Sequence, residues 1–152
     1  VNLLPETVAR LVREVPDIVG IKEACGDLSQ IVKLMTLTDG KIDLYSGNDD
    51  QTVPIMAMGG LGVISVVANV APKKMHDLCA AFQAGDLAAA RALQLETEEL
   101  FECLFSEVNP IPVKKAVNLM GFAAGPLRLP LTEMTLAKAE KMAEAMKKLG
   151  VL

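Results

Sequence analysis

Lys22 is the residue whose type and place suit covalent chemistry. It directly continues the apolar run Ile18-Val19-Gly20-Ile21, which puts an amine at the carboxyl end of a short strand, where α/β and barrel folds gather their active sites. Desolvation at such a place disfavours the ammonium and lowers its pKa from about 10.4, the condition for a neutral amine that attacks a ketone. Schiff-base chemistry is one reading of Lys22. The other is a lysine whose head reaches solvent at the strand end and pairs with Glu23, and the pattern alone does not separate the two.

The remaining reactive residue types carry weaker signals. Asp49 and Asp50 form a candidate metal or acid/base pair, but they stand just before Thr52-Val53-Pro54, and helix N-capping accounts for them better. Gly59-Gly60-Leu61-Gly62 precedes a strand, whereas a phosphate cradle follows a strand and opens a helix, so it reads as a tight turn. His76 has no ligand cluster near it and is expected to be structural or exposed. Cys25, Cys79 and Cys103 are odd in number and lack a C-x-x-C spacing, which supports neither a disulfide framework nor a zinc site. No metal and no cofactor is implied.

The elements that must position these residues alternate in type. Pro5 to Glu14 reads as a helix, with Val8, Leu11 and Val12 at helical spacing and Pro16 as its stop. Ile18 to Ile21 follows as a short β-branched run, the pattern of a strand covered on both faces. A helix over Leu28 to Leu37, a strand over Ile42 to Ser46, a helix over Thr52 to Met58 and a strand over Gly62 to Val67 complete the alternation. Short connections and apolar strands argue for a parallel sheet wrapped by helices, the α/β class. From Pro72 the pattern is helical only: Pro72 to Ala84, Asp86 to Phe105, Pro110 to Met120, and roughly Leu131 to Leu149. Residues 1–71 and 72–152 are therefore expected as separate domains.

Composition narrows the function classes. A chain of 152 residues that is 51% hydrophobic holds enough apolar material for a core. Its net charge of −4, single Tyr and absent Trp suit neither a phosphate backbone nor base stacking, so no nucleic-acid partner is expected. The longest mostly apolar stretch, Gly59 to Ala71, falls short of the roughly 20 residues of a membrane helix, and no membrane partner is expected. No basic segment followed by an apolar one opens the sequence, which leads to the expectation of a cytoplasmic protein. Three parallel strands cannot close a barrel, so the reading also expects further strands upstream.

Several ordered segments resemble the dihydrodipicolinate synthase family. Val19-Gly20-Ile21-Lys22-Glu23-Ala24-Cys25-Gly26-Asp27-Leu28 is similar to its Schiff-base lysine strand. Leu3-Leu4-Pro5-Glu6-Thr7, Ser46-Gly47-Asn48-Asp49-Asp50, Gly62-Val63-Ile64-Ser65-Val66, Asn109-Pro110-Ile111-Pro112-Val113-Lys114 and Leu127-Arg128-Leu129-Pro130-Leu131 match in the family's order. The resemblance implies the C-terminal part of a (β/α)₈ TIM barrel, with the sixth to eighth strands in residues 1–71 and an all-helical C-terminal domain in residues 72–152. Cys25 departs from the family's usual Ser or Thr and adds a thiol near the pocket.

The resemblance further implies a lyase of lysine and diaminopimelate biosynthesis. Lys22 would condense with pyruvate to an iminium, the derived enamine would attack aspartate semialdehyde, and Ile64 and Gly47 would bind the keto acid, Ile64 through its backbone. It implies a homo-oligomer, a tetramer in the family, and an N-terminal half that supplies the proton-relay tyrosine and threonine residues, the substrate arginine and the lysine-feedback site. Tyr45, the one tyrosine here, does not match the relay position. An N-acetylneuraminate lyase or keto-deoxy sugar aldolase is the alternative enzyme, disfavoured by Glu23-Ala24 and Asn109-Pro110-Ile111-Pro112. A catalytically silent half-barrel that assembles with a partner half is the non-enzymatic alternative.

Overall fold

The structure, a computed structural model, describes all 152 residues and divides into two compact units, Val1–Ser65 and Val66–Leu152. The first unit runs α1 (Pro5–Glu14), β1 (Gly20–Glu23), α2 (Leu28–Leu37), β2 (Asp43–Ser46), a 3₁₀ turn at Asp49–Gln51, α3 (Thr52–Ala57) and β3 (Gly62–Val63). The strands form one parallel sheet in the order β1-β2-β3, with Lys22 opposite Tyr45, Glu23 opposite Ser46, and Ser46 opposite Val63. Consecutive parallel neighbours with helical crossovers bring all three carboxyl ends to the same side of the sheet.

One sheet face carries the core. Val8 of α1, Leu34 of α2 and Ile42 form one buried cluster, Ile31, Leu44 and Ile55 of α3 another, and Ile21 packs against both. Burying side chains of this kind is worth about 1.5–3 kcal/mol each, which matters most for the six-residue α3, too short to persist on propensity. The other face is not covered in the same way. Lys22 is exposed, so the expectations of a strand enclosed on both faces and of a lysine withdrawn from water are both corrected for β1. Ile21 and Glu23 alternate toward the helices, and Gly20 and Lys22 alternate away.

Strand boundaries differ from the apolar runs because pairing decides them. Ile18 N–H donates to Val15 O in a turn, and the ladder begins with Asp43 N–H donating to Val19 O at 3.0 Å, so β1 includes Lys22. β3 is two residues long where six were expected. Its chain leaves the sheet after Ile64, and Val67–Asn69 coils into a 3₁₀ turn. The glycine run before β3 is the expected tight turn. Gly59 has φ of +95°, and a Cβ at Gly60 would stand 2.8 Å from Ile55 O, too close for any side chain.

The second unit holds α4 (Pro72–Gln83), α5 (Leu87–Glu96), α6 (Glu98–Leu104), α7 (Ile111–Leu119) and α8 (Leu136–Lys148). The single helix expected over Asp86 to Phe105 is broken at Thr97. Buried Thr97 donates its hydroxyl to Leu93 O and Gln94 O, both at 3.1 Å, a back-bonding that competes with the regular helical pattern at the break. The last helix starts at Leu136 rather than Leu131. Glu107 fixes that start, accepting from Thr135 N–H at 3.2 Å and Thr135 Oγ1 at 2.7 Å. Ala139, Met142, Ala145 and Met146 form its buried stripe, whereas Leu136 is 75% exposed in the first turn. No helix is long and apolar enough to cross a membrane.

Candidate active site

Three chain exits meet at the carboxyl side of the sheet: Lys22 near the end of β1, Gly47 directly after β2, and Ile64 directly after β3. Gly47 is buried, and its N–H donates to Glu23 O at 2.7 Å, so the chain after β2 stays locked to β1. A Cβ at Gly47 would lie 2.6 Å from Ala24 Cβ, 3.0 Å from Lys22 Cε and 3.1 Å from Glu23 O. Carbon atoms pack at about 3.5–4.0 Å, so only glycine lets the lysine stem lie against the β2 exit. Ile64 is 48% exposed, and its N–H donates to Ser46 O at 2.8 Å. That donor is engaged in the ladder.

Glu23 is not the partner of Lys22 that the solvent-facing reading proposed. It is 6% exposed, its Oε1 accepts from Cys25 N–H at 2.9 Å, and its Oε2 accepts from Gln30 Nε2 at 3.3 Å. The Gln30 side chain in turn exchanges hydrogen bonds with Asn2, donating at 3.1 Å and accepting at 2.7 Å. A buried carboxylate needs such donors, and these fix the turn that follows Lys22. Gln51 Nε2 donates to Gly26 O at 3.0 Å and ties the same turn to the chain after β2. A shallow cleft beside β1 is lined by Asn2, Leu3, Lys22, Glu23 and Cys25, among others.

Cys25 sits between this cleft and the core. Its Sγ accepts from Asp27 N–H at 3.3 Å, and burial pushes the thiol pKa up, so the protonated, weakly nucleophilic form is favoured beside Lys22. Asp49 and Asp50 behave differently from the capping pair that was expected. Asn48 and Gln51 occupy the cap positions of the 3₁₀ turn and of α3, and neither caps with its side chain. Asp49 is instead buried at 2% exposure and accepts a hydrogen bond from Ser65 Oγ, joining the β2 and β3 exits. Burial pushes the Asp50 carboxyl up, and the Asp49 charge acts in the same direction. His76 lies on the helical unit with its side chain 79% exposed and Nδ1 3.3 Å from Asp77 Oδ1.

Sequence reasoning missed the Asp49–Ser65 pair and the Glu23–Gln30–Asn2 network. The usable signal for the pair was the placement of a charged or hydroxyl residue two or three positions past a strand end, where a side chain turns back over the sheet's edge.

The comparisons with known proteins agree along the whole chain. The pattern of the Dihydrodipicolinate synthetase family matches residues 1–149. A 4-hydroxy-tetrahydrodipicolinate synthase of Lachnoclostridium phytofermentans is 53% identical over 99% of this chain and 51% of its own length. The crystal structure of dihydrodipicolinate synthase from Thermotoga maritima superposes with a TM-score of 0.95 at 45% identity, over 99% of this chain and 52% of that one. The chloride-inhibited dihydrodipicolinate synthase from Acinetobacter baumannii, solved in complex with pyruvate, superposes with a TM-score of 0.91 at 40% identity, over 99% of this chain and 52% of that one. The chain thus spans about half the length of the relatives it matches.

Proposed function

The chain belongs to the dihydrodipicolinate synthetase family, and on that footing we propose that it is the pyruvate-activating portion of a lyase of the dihydrodipicolinate synthase type, with Lys22 as the covalent residue. One observation carries the reading: Lys22, Gly47 and Ile64 stand at neighbouring exits of one parallel sheet, and the Lys22 stem lies where only a glycine at position 47 leaves room for it. A relative bound to pyruvate supports the choice of keto acid.

The Lys22 amine adds to the C2 carbonyl of pyruvate, and loss of water leaves an iminium. This cation withdraws electrons from C3, a C3 proton departs, and the resulting enamine forms a bond from C3 to the aldehyde carbon of aspartate semialdehyde. The aldehyde oxygen takes up a proton, the iminium re-forms, and addition of an amine or water at C2 frees Lys22. The iminium is itself the electron sink, so no cofactor enters. Gly47 holds the lysine stem in line. Ile64 borders the keto acid with its backbone at the β3 exit.

The three strands are the last three of a (β/α)₈ barrel in residues 1–71, and residues 72–152 are its helical C-terminal domain. The other strands, the proton relay and the grip on the aldehyde substrate belong to the N-terminal half, and the assembled enzyme is a cytoplasmic homo-oligomer of lysine and diaminopimelate biosynthesis. A coupled assay with pyruvate and aspartate semialdehyde tests the division of labour. General acid–base assistance is worth about 10²- to 10⁴-fold, and positioning adds to it. Turnover should therefore be lower by at least that factor for this chain alone and recover on mixing with a separately expressed N-terminal half. Near-normal turnover by the chain alone would show the catalytic groups to be misassigned, and mixing without recovery would favour a catalytically silent module.

A further inference from the structure

A carboxylate withdrawn from water persists only where donors surround it, and such a group at a strand exit constrains whatever its donors belong to. Asp49 is such a group. It lies two residues past Gly47, is 2% exposed, and accepts a hydrogen bond from Ser65 Oγ, the residue after Ile64. Its own segment is rigid. Fully buried Thr52 donates its hydroxyl to Asp49 O at 2.8 Å, and fully buried Ser46 donates Oγ to Asn48 O at 2.7 Å. The β3 segment that Ser65 leaves is two residues long, and Ile64 N–H donating to Ser46 O closes its ladder. The Asp49–Ser65 bond is therefore a tie that carries β2–β3 attachment one residue beyond the backbone ladder, past Ile64.

We propose that Asp49 is a positioning residue of the keto-acid site: through Ser65 it holds the chain leaving β3 against the loop leaving β2, and so keeps Ile64 and Gly47 beside the Lys22 stem. The ligand in this inference rests on the function proposed above, while the clamp rests on the geometry alone. Asp49 touches neither the reacting atoms nor Lys22 in this account. Its effect is on how well the pocket is formed when the keto acid arrives, which belongs to affinity rather than to the chemical step.

The test uses this 152-residue chain as parent, Asp49→Asn, Ser65→Ala and Ser65→Thr. Two quantities are read: the pyruvate concentration that gives half-maximal borohydride-trapped adduct, with its limiting rate, and the amide hydrogen exchange of Ile64 against that of the α2 core. Removing one donor from a buried carboxylate should raise the half-saturating concentration about tenfold to a hundredfold in Ser65→Ala, with the limiting rate within about threefold of the parent. Asp49→Asn should show a smaller rise, and Ser65→Thr, which keeps the hydroxyl, should stay close to the parent. Ile64 exchange should speed up in Ser65→Ala while α2 amides do not change. Unchanged half-saturation in Ser65→Ala, or exchange that quickens equally across α2, would overturn the positioning role. If the parent itself traps no pyruvate, the Lys22 assignment fails separately, and the exchange of Ile64 still decides whether the clamp exists.

Discussion

Substituting Gly47 by alanine inserts one methyl group at the point where the lysine stem crosses the exit of β2. Gly47 does not adopt a positive φ, so alanine meets no backbone strain there and the effect is one of space alone. The new Cβ would stand 2.6 Å from Ala24 Cβ, about 0.9 Å inside the roughly 3.5 Å at which carbons pack, and 3.0 Å from Lys22 Cε. The closest neighbour, Ala24 Cβ, is fixed by the backbone, so the segment after β1 must shift and carries the adjoining Lys22 stem with it. Overpacking of one methyl costs about 1–3 kcal/mol. If that cost falls on the lysine geometry, adduct formation with pyruvate should slow about fivefold to 150-fold. The assay is borohydride trapping followed by intact mass over a range of pyruvate concentrations, with far-UV circular dichroism to verify the fold. Ala24→Gly introduced beside Gly47→Ala removes the closest contact and should restore part of the rate, a coupling that two independent sites would not show. Parent-like trapping by Gly47→Ala in a folded chain would refute the claim that the glycine is kept for the lysine.

Two further outcomes follow from the structure. With β1 and β3 both at sheet edges and Val19, Leu61 and Ile64 exposed, the isolated chain should self-associate in light scattering, and a well-dispersed monomer would count against open strand edges. Glu107 is held below the usual carboxylate range, first by the Thr135 hydroxyl, so the folded chain favours its ionised form. The stabilisation this gives the start of α8 is present above the ordinary carboxylate range and lost as pH falls through the lowered value. The protection of the Thr135 amide relative to its intrinsic exchange rate should fall on acidification in the parent and lose that step in Glu107→Gln; an identical pH profile in both would contradict the linkage.

The sequence was most legible where a local rule and the fold agree. α1 begins at Pro5 and ends at Glu14, as the proline-opened apolar spacing and the Pro16 stop predict, because its buried Val8 and Ala9 lie on one helical stripe. The α/β class of the first unit and the family were legible too, the latter because several short segments occur in one order. Boundaries set by a distant partner were not. The run Ile64-Ser65-Val66-Val67 has strand composition, yet pairing stops at Val63, and Ser65 turns to Asp49 instead. Asp49 itself was read as a helix cap because local spacing allows it; that its carboxylate would cross to Ser65, 16 residues away, is visible only once β2 and β3 are neighbours. The break at Thr97 is a further case, in which hydroxyl back-bonding interrupts an otherwise helical pattern.

The central claim is that Lys22 is the amine that takes up the keto acid. Incubation of the chain with pyruvate and borohydride, followed by peptide mapping, tests it most directly. One reduced pyruvyl group per chain is expected, located on Lys22 and absent from Lys22→Ala. Labelling that persists unchanged in Lys22→Ala, or that spreads over surface lysines such as Lys73 and Lys147, would contradict it.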